Sequence, residues 1–261
     1  MYATERHELI GQVLTAEGRV GVHDLAARFD VTTETVRRDL DALERAGRLR
    51  RVHGGAVPIE RGSTVETTIT ERIRSRTHEK SAIAARALEA IDEGFRGSLF
   101  LDAGSTTAAV AERLSSRLAA VHATADVVTH SLTLAPALAA LDDVTLTVIG
   151  GRVRRDTAAA VGAGTVRAIE ALRPDIVFIG TNGVSSSFGL STPDPEEAAV
   201  KAAIVRAARR VIAVADSGKF EAESLVRFAE LDEIDVLVTD TAPTGDLAAA
   251  LDAADVEVWV A

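Results

Sequence analysis

Residues 31–56 read VTTETVRRDLDALERAGRLRRVHGGA. The spacing predicts a helix over about 33–46, with Thr32 or Thr33 as its cap. Val36, Leu40 and Leu43 recur at i, i+4 and i+7 on one face, while Glu34, Arg37, Arg38 and Asp41 take the other. Beyond Gly47, Leu49, Arg51 and His53 alternate with Arg48, Arg50 and Val52, which predicts a strand, and Gly54-Gly55 supplies a turn. Upstream, residues 23–29 (HDLAARF) form a short helix that ends in Asp30-Val31-Thr32. A further helix is expected over 3–16, with Leu9, Ile10, Val13 and Leu14 inward and Gly18 closing it. Helix, short turn, helix and hairpin together predict a winged helix-turn-helix over 1–57.

Such a module is built for double-stranded DNA. Thr33 and Thr35, at the positive start of the third helix, suit phosphate. Arg37 and Arg38 are placed for the major groove, where arginine pairs bidentately with guanine. Arg48, Arg50, Arg51 and His53 on the wing suit the phosphate backbone. The competing reading is a three-helix module with solvated arginines. Taken whole, a net charge of -10 argues against nucleic acid. The charge is unevenly spread, however. Residues 1–57 balance nine Arg against nine Asp and Glu, so the entire excess belongs to the remainder. Of the 29 basic residues only Lys80, Lys201 and Lys219 are lysine, and all three lie beyond residue 57.

Residues 58–77, PIERGSTVETTITERIRSRT, mix Pro, Gly, Ser and Thr with charge and read as a linker that ends in the start of a helix, with Thr64, Glu66 and Arg72 either functional or, the favoured reading, solvated. From residue 78 apolar and amphipathic segments alternate. Strands are expected near 98–102, 126–130, 144–149, 175–180, 210–215, 234–239 and 256–260. Helices are expected near 78–91, 107–119, 132–141, 163–172, 194–208 and 246–253. That order predicts a mostly parallel α/β sheet covered by helices over 78–261. Five strands end in small polar groups, and the carboxyl ends of parallel strands are where such sheets bind ligands. Asp102, Gly104, Ser105, Thr106 and Thr107 have the chemistry of a phosphate cradle at a helix start, without the Gly-Lys-Ser/Thr of a Walker loop. Thr129, His130 and Ser131 end a second strand, Gly151 and Arg152 follow a third, Asn182 a fourth, and Asp216 and Lys219 a fifth. Lys201 is either half of a surface i, i+4 pair with Glu197 or a ligand contact.

Other chemistries are not supported. There is no cysteine, which excludes disulfides and thiolate sites and fits a cytoplasmic protein. His53 and His130 stand alone, so no metal is expected. The charged amino terminus does not read as a signal peptide, and no apolar run suits a membrane.

The run Arg6-x3-Ile10-x3-Leu14, then Thr32-x2-Thr35-Val36-Arg37-Arg38-Asp39-Leu40, with Gly47-x-Leu49-x-Arg51-x-His53-Gly54-Gly55-Ala56, resembles the signature of DeoR-type transcriptional regulators. Asp102-x-Gly104-Ser105-Thr106-Thr107, Gly150-Gly151, Gly180-Thr181-Asn182-Gly183, Gly189-Leu190-Ser191-Thr192 with Glu197 and Lys201, and Asp216-Ser217-x-Lys219 are similar to that family's sensor domain. The resemblance implies a sensor fold like ribose-5-phosphate isomerase. It also implies a homo-oligomeric repressor of a sugar catabolism operon, released from operator DNA by a phosphorylated sugar, with no cofactor and no catalysis. Fructose 1-phosphate is the first candidate effector, with galactose 6-phosphate or a tagatose phosphate next. An activator of the same type and an isomerase-like enzyme are the alternatives. Two positions depart from the family: Thr129-His130-Ser131 stands where Thr-Asn-Ser is common, and Ser217-Gly218-Lys219 where Ser-Ser-Lys is common.

Overall fold

Val36, Leu40 and Leu43 are buried, as the helical period requires, and they pack with Ile10, Val13, Leu14, Leu25 and Phe29 into one apolar core. The computed structural model describes residues 3–17, 20–46, 49–52, 54–57, 63–64 and 66–261. The chain divides into two compact units, Met1–Gly62 and Ser63–Ala261. The first contains α1 (Ala3–Glu17), β1 (Val20–Gly21), α2 (Val22–Phe29), α3 (Thr33–Arg45), β2 (Arg50–Val52) and β3 (Gly55–Val57). Its strands form an antiparallel sheet in the order β1-β3-β2. Gly54 turns between β2 and β3 at φ +79°, and a Cβ at Gly55 would meet the Val20 carbonyl oxygen at 1.9 Å.

Two motif residues prove to be internal braces. The Arg6 guanidinium grips the buried Asp39 carboxylate with two donors, Nε at 2.7 Å and Nη2 at 3.1 Å, tying α1 to α3. Thr32 is the cap of α3, its hydroxyl accepting from the Thr35 amide at 3.2 Å. Thr32→Ala is expected to destabilise the first unit by about 1 kcal/mol, read from urea unfolding.

The second unit runs α4 (Ile69–Arg74), α5 (Thr77–Ala87), β4 (Arg96–Leu101), α6 (Ser105–Ala120), β5 (Thr124–Thr129), α7 (Ala135–Leu138), β6 (Val144–Val148), β7 (Arg152–Arg154), β8 (Ala159–Val161) and α8 (Ala163–Glu170). It continues through β9 (Ile176–Gly180), β10 (Gly183–Ser185), β11 (Gly189–Thr192), α9 (Pro195–Ala207), β12 (Val211–Val214), β13 (Val226–Ala229), β14 (Val236–Thr239), α10 (Gly245–Ala253) and β15 (Glu257–Val260). Seven strands form one sheet in the order β15-β14-β12-β9-β4-β5-β6, parallel throughout. Alternate residues feed opposite faces. Phe100, Val177 and Ile179 pack with Val200 and Ile204 of α9, whereas Leu99, Leu101 and Phe178 pack with Ile83 of α5 and Val110 and Leu114 of α6. Both faces are therefore covered, which is why β9 reads as an unbroken apolar run.

Several elements differ from expectation. The helix foreseen over 132–141 shortens to α7, because Ser131 pairs with Ala159 and its hydroxyl accepts from the Leu134 amide. The antiparallel pair β7–β8 and the small sheet β10-β11-β13 were not foreseen. Residues 66–77 do not behave as a solvated linker. Thr68 and Glu71 form a reciprocal capping box on α4, and the Ile69 amide donates to the Asp156 carbonyl at 2.7 Å. Among the described residues no helix is long and apolar enough to cross a membrane.

Candidate functional site

The strand order reverses between β4 and β9. From β4 the sheet grows one way through β5 and β6, then resumes on the other side of β4 with β9, β12, β14 and β15. A crevice opens at such a switch point, outside the carboxyl ends of the two central strands.

Asp102 stands at that point, fully buried at the end of β4. Its Oδ2 accepts from the Gly180 amide at 3.0 Å and from Lys201 Nζ, and Lys201 also donates to the Gly180 carbonyl at 2.9 Å. Oδ1 lies 3.0 Å from Nε2 of the fully buried His130, whose Nδ1 lies 2.9 Å from the Ala160 carbonyl. Burial alone would raise the Asp102 carboxyl, but Lys201 and His130 outweigh it and hold the group at about 2. Both oxygens are engaged, so Asp102 is a fixed anion that orders the crevice floor and not an open proton acceptor. α9 thus projects Lys201 inward to Asp102, while Glu197, one turn earlier, meets Arg154 Nη1 at 2.9 Å. The surface i, i+4 pair is replaced by two buried contacts. Burial raises the Glu197 carboxyl, with Lys201 and Arg154 opposing.

Around this core lie the other candidates. α6 begins at Ser105 after an extended Gly104, with no side chain capping its first amides. Thr106 and Thr107 are buried in its first turn, and the Thr107 hydroxyl donates to the Gly104 carbonyl at 3.0 Å. Thr129 is occupied behind the site, donating to the Leu101 carbonyl at 2.7 Å and accepting from the Ser131 amide at 3.1 Å. Gly151 answers to its own chain: a Cβ there would meet Thr165 Oγ1 at 2.1 Å. Arg152 pairs with Glu196 on the exposed rim. Asn182 donates to Glu66 at 3.4 Å and accepts from Thr192 at 3.2 Å. Asp216 accepts from the Gly218 amide at 3.1 Å, and Lys219 follows on a short 3-10 turn.

Arg76 and Arg154 escaped the sequence reading, and the contacts of Glu66 and Lys80 differ from a solvated linker and an unassigned lysine. Glu66 is buried against Arg72, Arg154 and Asn182. Arg154 carries Glu66, Asp194 at 3.2 Å and Glu197. Arg76 reaches Ser217 Oγ and Asp240 at 3.0 Å. Lys80 caps the end of α4 through the carbonyls of Arg72 and Ser75, and burial lowers its ammonium to about 8. Among the described residues no group of His, Asp and Glu is arranged to hold a metal ion.

In the first unit, Arg37 and Arg38 stand out from α3 with 52% and 80% of their side chains exposed, near Glu34 at 3.8 and 3.4 Å. Thr33 opens the helix, and the Thr35 hydroxyl lies 2.9 Å from that of Thr32. Arg51 is committed inward, donating to Asp41 and to the Arg37 carbonyl at 3.2 Å, so it braces the wing on α3. Arg48, His53 and the Arg50 side chain lie outside the described residues.

Residues 6–61 match the DeoR-like helix-turn-helix domain, and residues 75–241 match the DeoR C terminal sensor domain. The HTH-type transcriptional regulator GlpR of Haloferax volcanii is 36% identical over 257 residues, 98% of this chain and 96% of that protein. The glycerol-3-phosphate regulon repressor of Escherichia coli K12 is 32% identical over 244 residues, 93% of each chain. The uncharacterized HTH-type transcriptional regulator FruR of Bacillus subtilis is 32% identical over 240 residues, 92% of each. Among solved structures, ribose 5-phosphate isomerase A of Methanocaldococcus jannaschii is similar over 56% of this chain and 55% of that one, at 17% identity and a TM-score of 0.42.

Proposed function

The chain belongs to the DeoR family of transcriptional regulators, and from that premise we propose that it represses a sugar catabolism operon and is released from its operator by a phosphorylated sugar. The observation that carries this reading is the ordered Asp102–Lys201–His130 floor beneath the uncapped start of α6, on the same chain as the exposed arginines of α3. An uncapped helix start offers amides to a phosphoryl group, and the crevice beside it suits a small polar ligand. The long match to a repressor of the glycerol-3-phosphate regulon supports the direction of control. Two copies of α3 fit a repeated operator, so the working species is a homo-oligomer. For the effector to act as a switch, it binds the DNA-free state more tightly than the DNA-bound state. Fructose 1-phosphate leads the candidates, followed by galactose 6-phosphate, a tagatose phosphate and, by its relative's name, glycerol 3-phosphate.

The test is a mobility shift on DNA upstream of the gene and of its neighbours. A retarded complex that dissolves with one phosphorylated sugar and persists with its unphosphorylated parent is expected. Failure to retard any such fragment overturns the reading. Steady conversion of a sugar phosphate by the pure protein, followed by NMR, would make it an enzyme.

A further inference from the structure

The segment that leads out of the first unit crosses the candidate site. Glu66 is held by Asn182, just beyond β9, and by Arg154 of β7. Ten residues on, Arg76 is held by Asp216 and Ser217 beyond β12 and by Asp240 beyond β14. Residues 66–76 therefore form a strap over the carboxyl edge of the sheet, with α4 packed beside α6, the helix that begins at Ser105.

Within the strap, Arg72 is only partly used. Its Nη1 lies 3.0 Å from Glu66 Oε1. Its Nε and Nη2 are buried and have no hydrogen-bond partner among the described residues. Other cations nearby are engaged: Lys201 holds Asp102 and a carbonyl, Lys80 holds two carbonyls, and Arg154 holds several carboxylates. Nε and Nη2 are the side edge of a guanidinium, two parallel N–H donors spaced to match two oxygens of a phosphoryl group. Buried donors without acceptors are costly, and such orphans call for a partner.

We propose that Arg72 grips the phosphoryl group of the effector through its Nε–Nη2 edge, so that the strap itself, and not the sheet alone, holds the ligand. The proposal rests on the sensor reading above. Lysine at this position keeps a positive charge beside Glu66 but cannot present two parallel donors.

The experiment is calorimetric titration of the full chain, wild type and Arg72→Lys. The ligands are fructose 1-phosphate, galactose 6-phosphate, tagatose 6-phosphate, glycerol 3-phosphate and their unphosphorylated parents. The preference of wild type for a phosphorylated sugar over its parent should shrink by about tenfold or more in Arg72→Lys, with urea unfolding as the control for folding. An unchanged preference in a folded variant overturns the role of Arg72 while leaving the sensor reading intact. Should the variant not fold, the assigned Nε–H resonance of Arg72 in the wild-type chain decides. It is expected to shift with the phosphorylated sugar and not with the parent, and a resonance that stays still overturns the proposal. If no phosphorylated sugar binds wild type, the sensor reading falls, and the role of Arg72 with it.

Discussion

Lys201→Met is expected to destabilise the second unit by about 3–5 kcal/mol, because it leaves the Asp102 carboxylate buried without its cation. Asp102 has 0% and Lys201 3% of its side chain exposed, so water cannot replace the lost partner. The stability is read from urea unfolding of the full chain. Adding Asp102→Asn to Lys201→Met should recover a large part of the loss, since the double variant has no charge to strand. If the double variant is as unstable as the sum of both single variants, the cost lies in packing and not in the ion pair. The same site sets an acid limit. The folded Asp102 carboxyl is depressed to about 2 from an ordinary 3.8. Its stabilisation is therefore complete above about pH 4 and is lost as the pH falls through about 2. Asp102→Asn should remove that contribution and flatten the acid limb of the stability curve.

Arg37→Ala and Arg38→Ala are each expected to weaken specific operator binding by about 1–3 kcal/mol, roughly 5- to 150-fold, through loss of paired donors to guanine. Both side chains are largely exposed, so urea unfolding of the first unit should not move. Fluorescence anisotropy with operator and with scrambled DNA reads the effect. A loss confined to the operator assigns base readout, and an equal loss on both DNAs would reduce these residues to phosphate contacts. Arg51→Ala should behave differently. Its guanidinium links the wing to Asp41 and the Arg37 carbonyl, so its removal should loosen the first unit as well as the DNA complex.

Much of the fold was legible because period and burial coincide. The seven expected strands are the seven strands of the large sheet, since each is a short apolar run bounded by Gly or polar groups. The polar residues that follow those runs were legible as site candidates for the same reason: in a parallel sheet every carboxyl end lies on one edge. The contacts made by each candidate were not legible. Thr129 and Gly151 carry the right chemistry in the right place, yet they serve the backbone of their own chain. Glu66 and Arg154 lie 88 residues apart and have no shared pattern by which one sequence could join them. A segment of mixed charge such as 66–77 reads as solvated because sequence periodicity reports burial of apolar side chains, and here the buried side chains are charged.

By itself, then, the sequence determined the order of the elements of the large sheet and the edge on which its polar strand ends gather. Those follow from local apolar periodicity and from glycine and polar punctuation, which act over a few residues. Only the tertiary structure decided that Lys201 serves Asp102 and not Glu197, that Arg6 and Asp39 brace the first helix against the third, and that Glu66 of the expected linker is buried against Arg72 and Arg154. Those choices depend on which charges are desolvated together, and desolvation is a property of the packed chain.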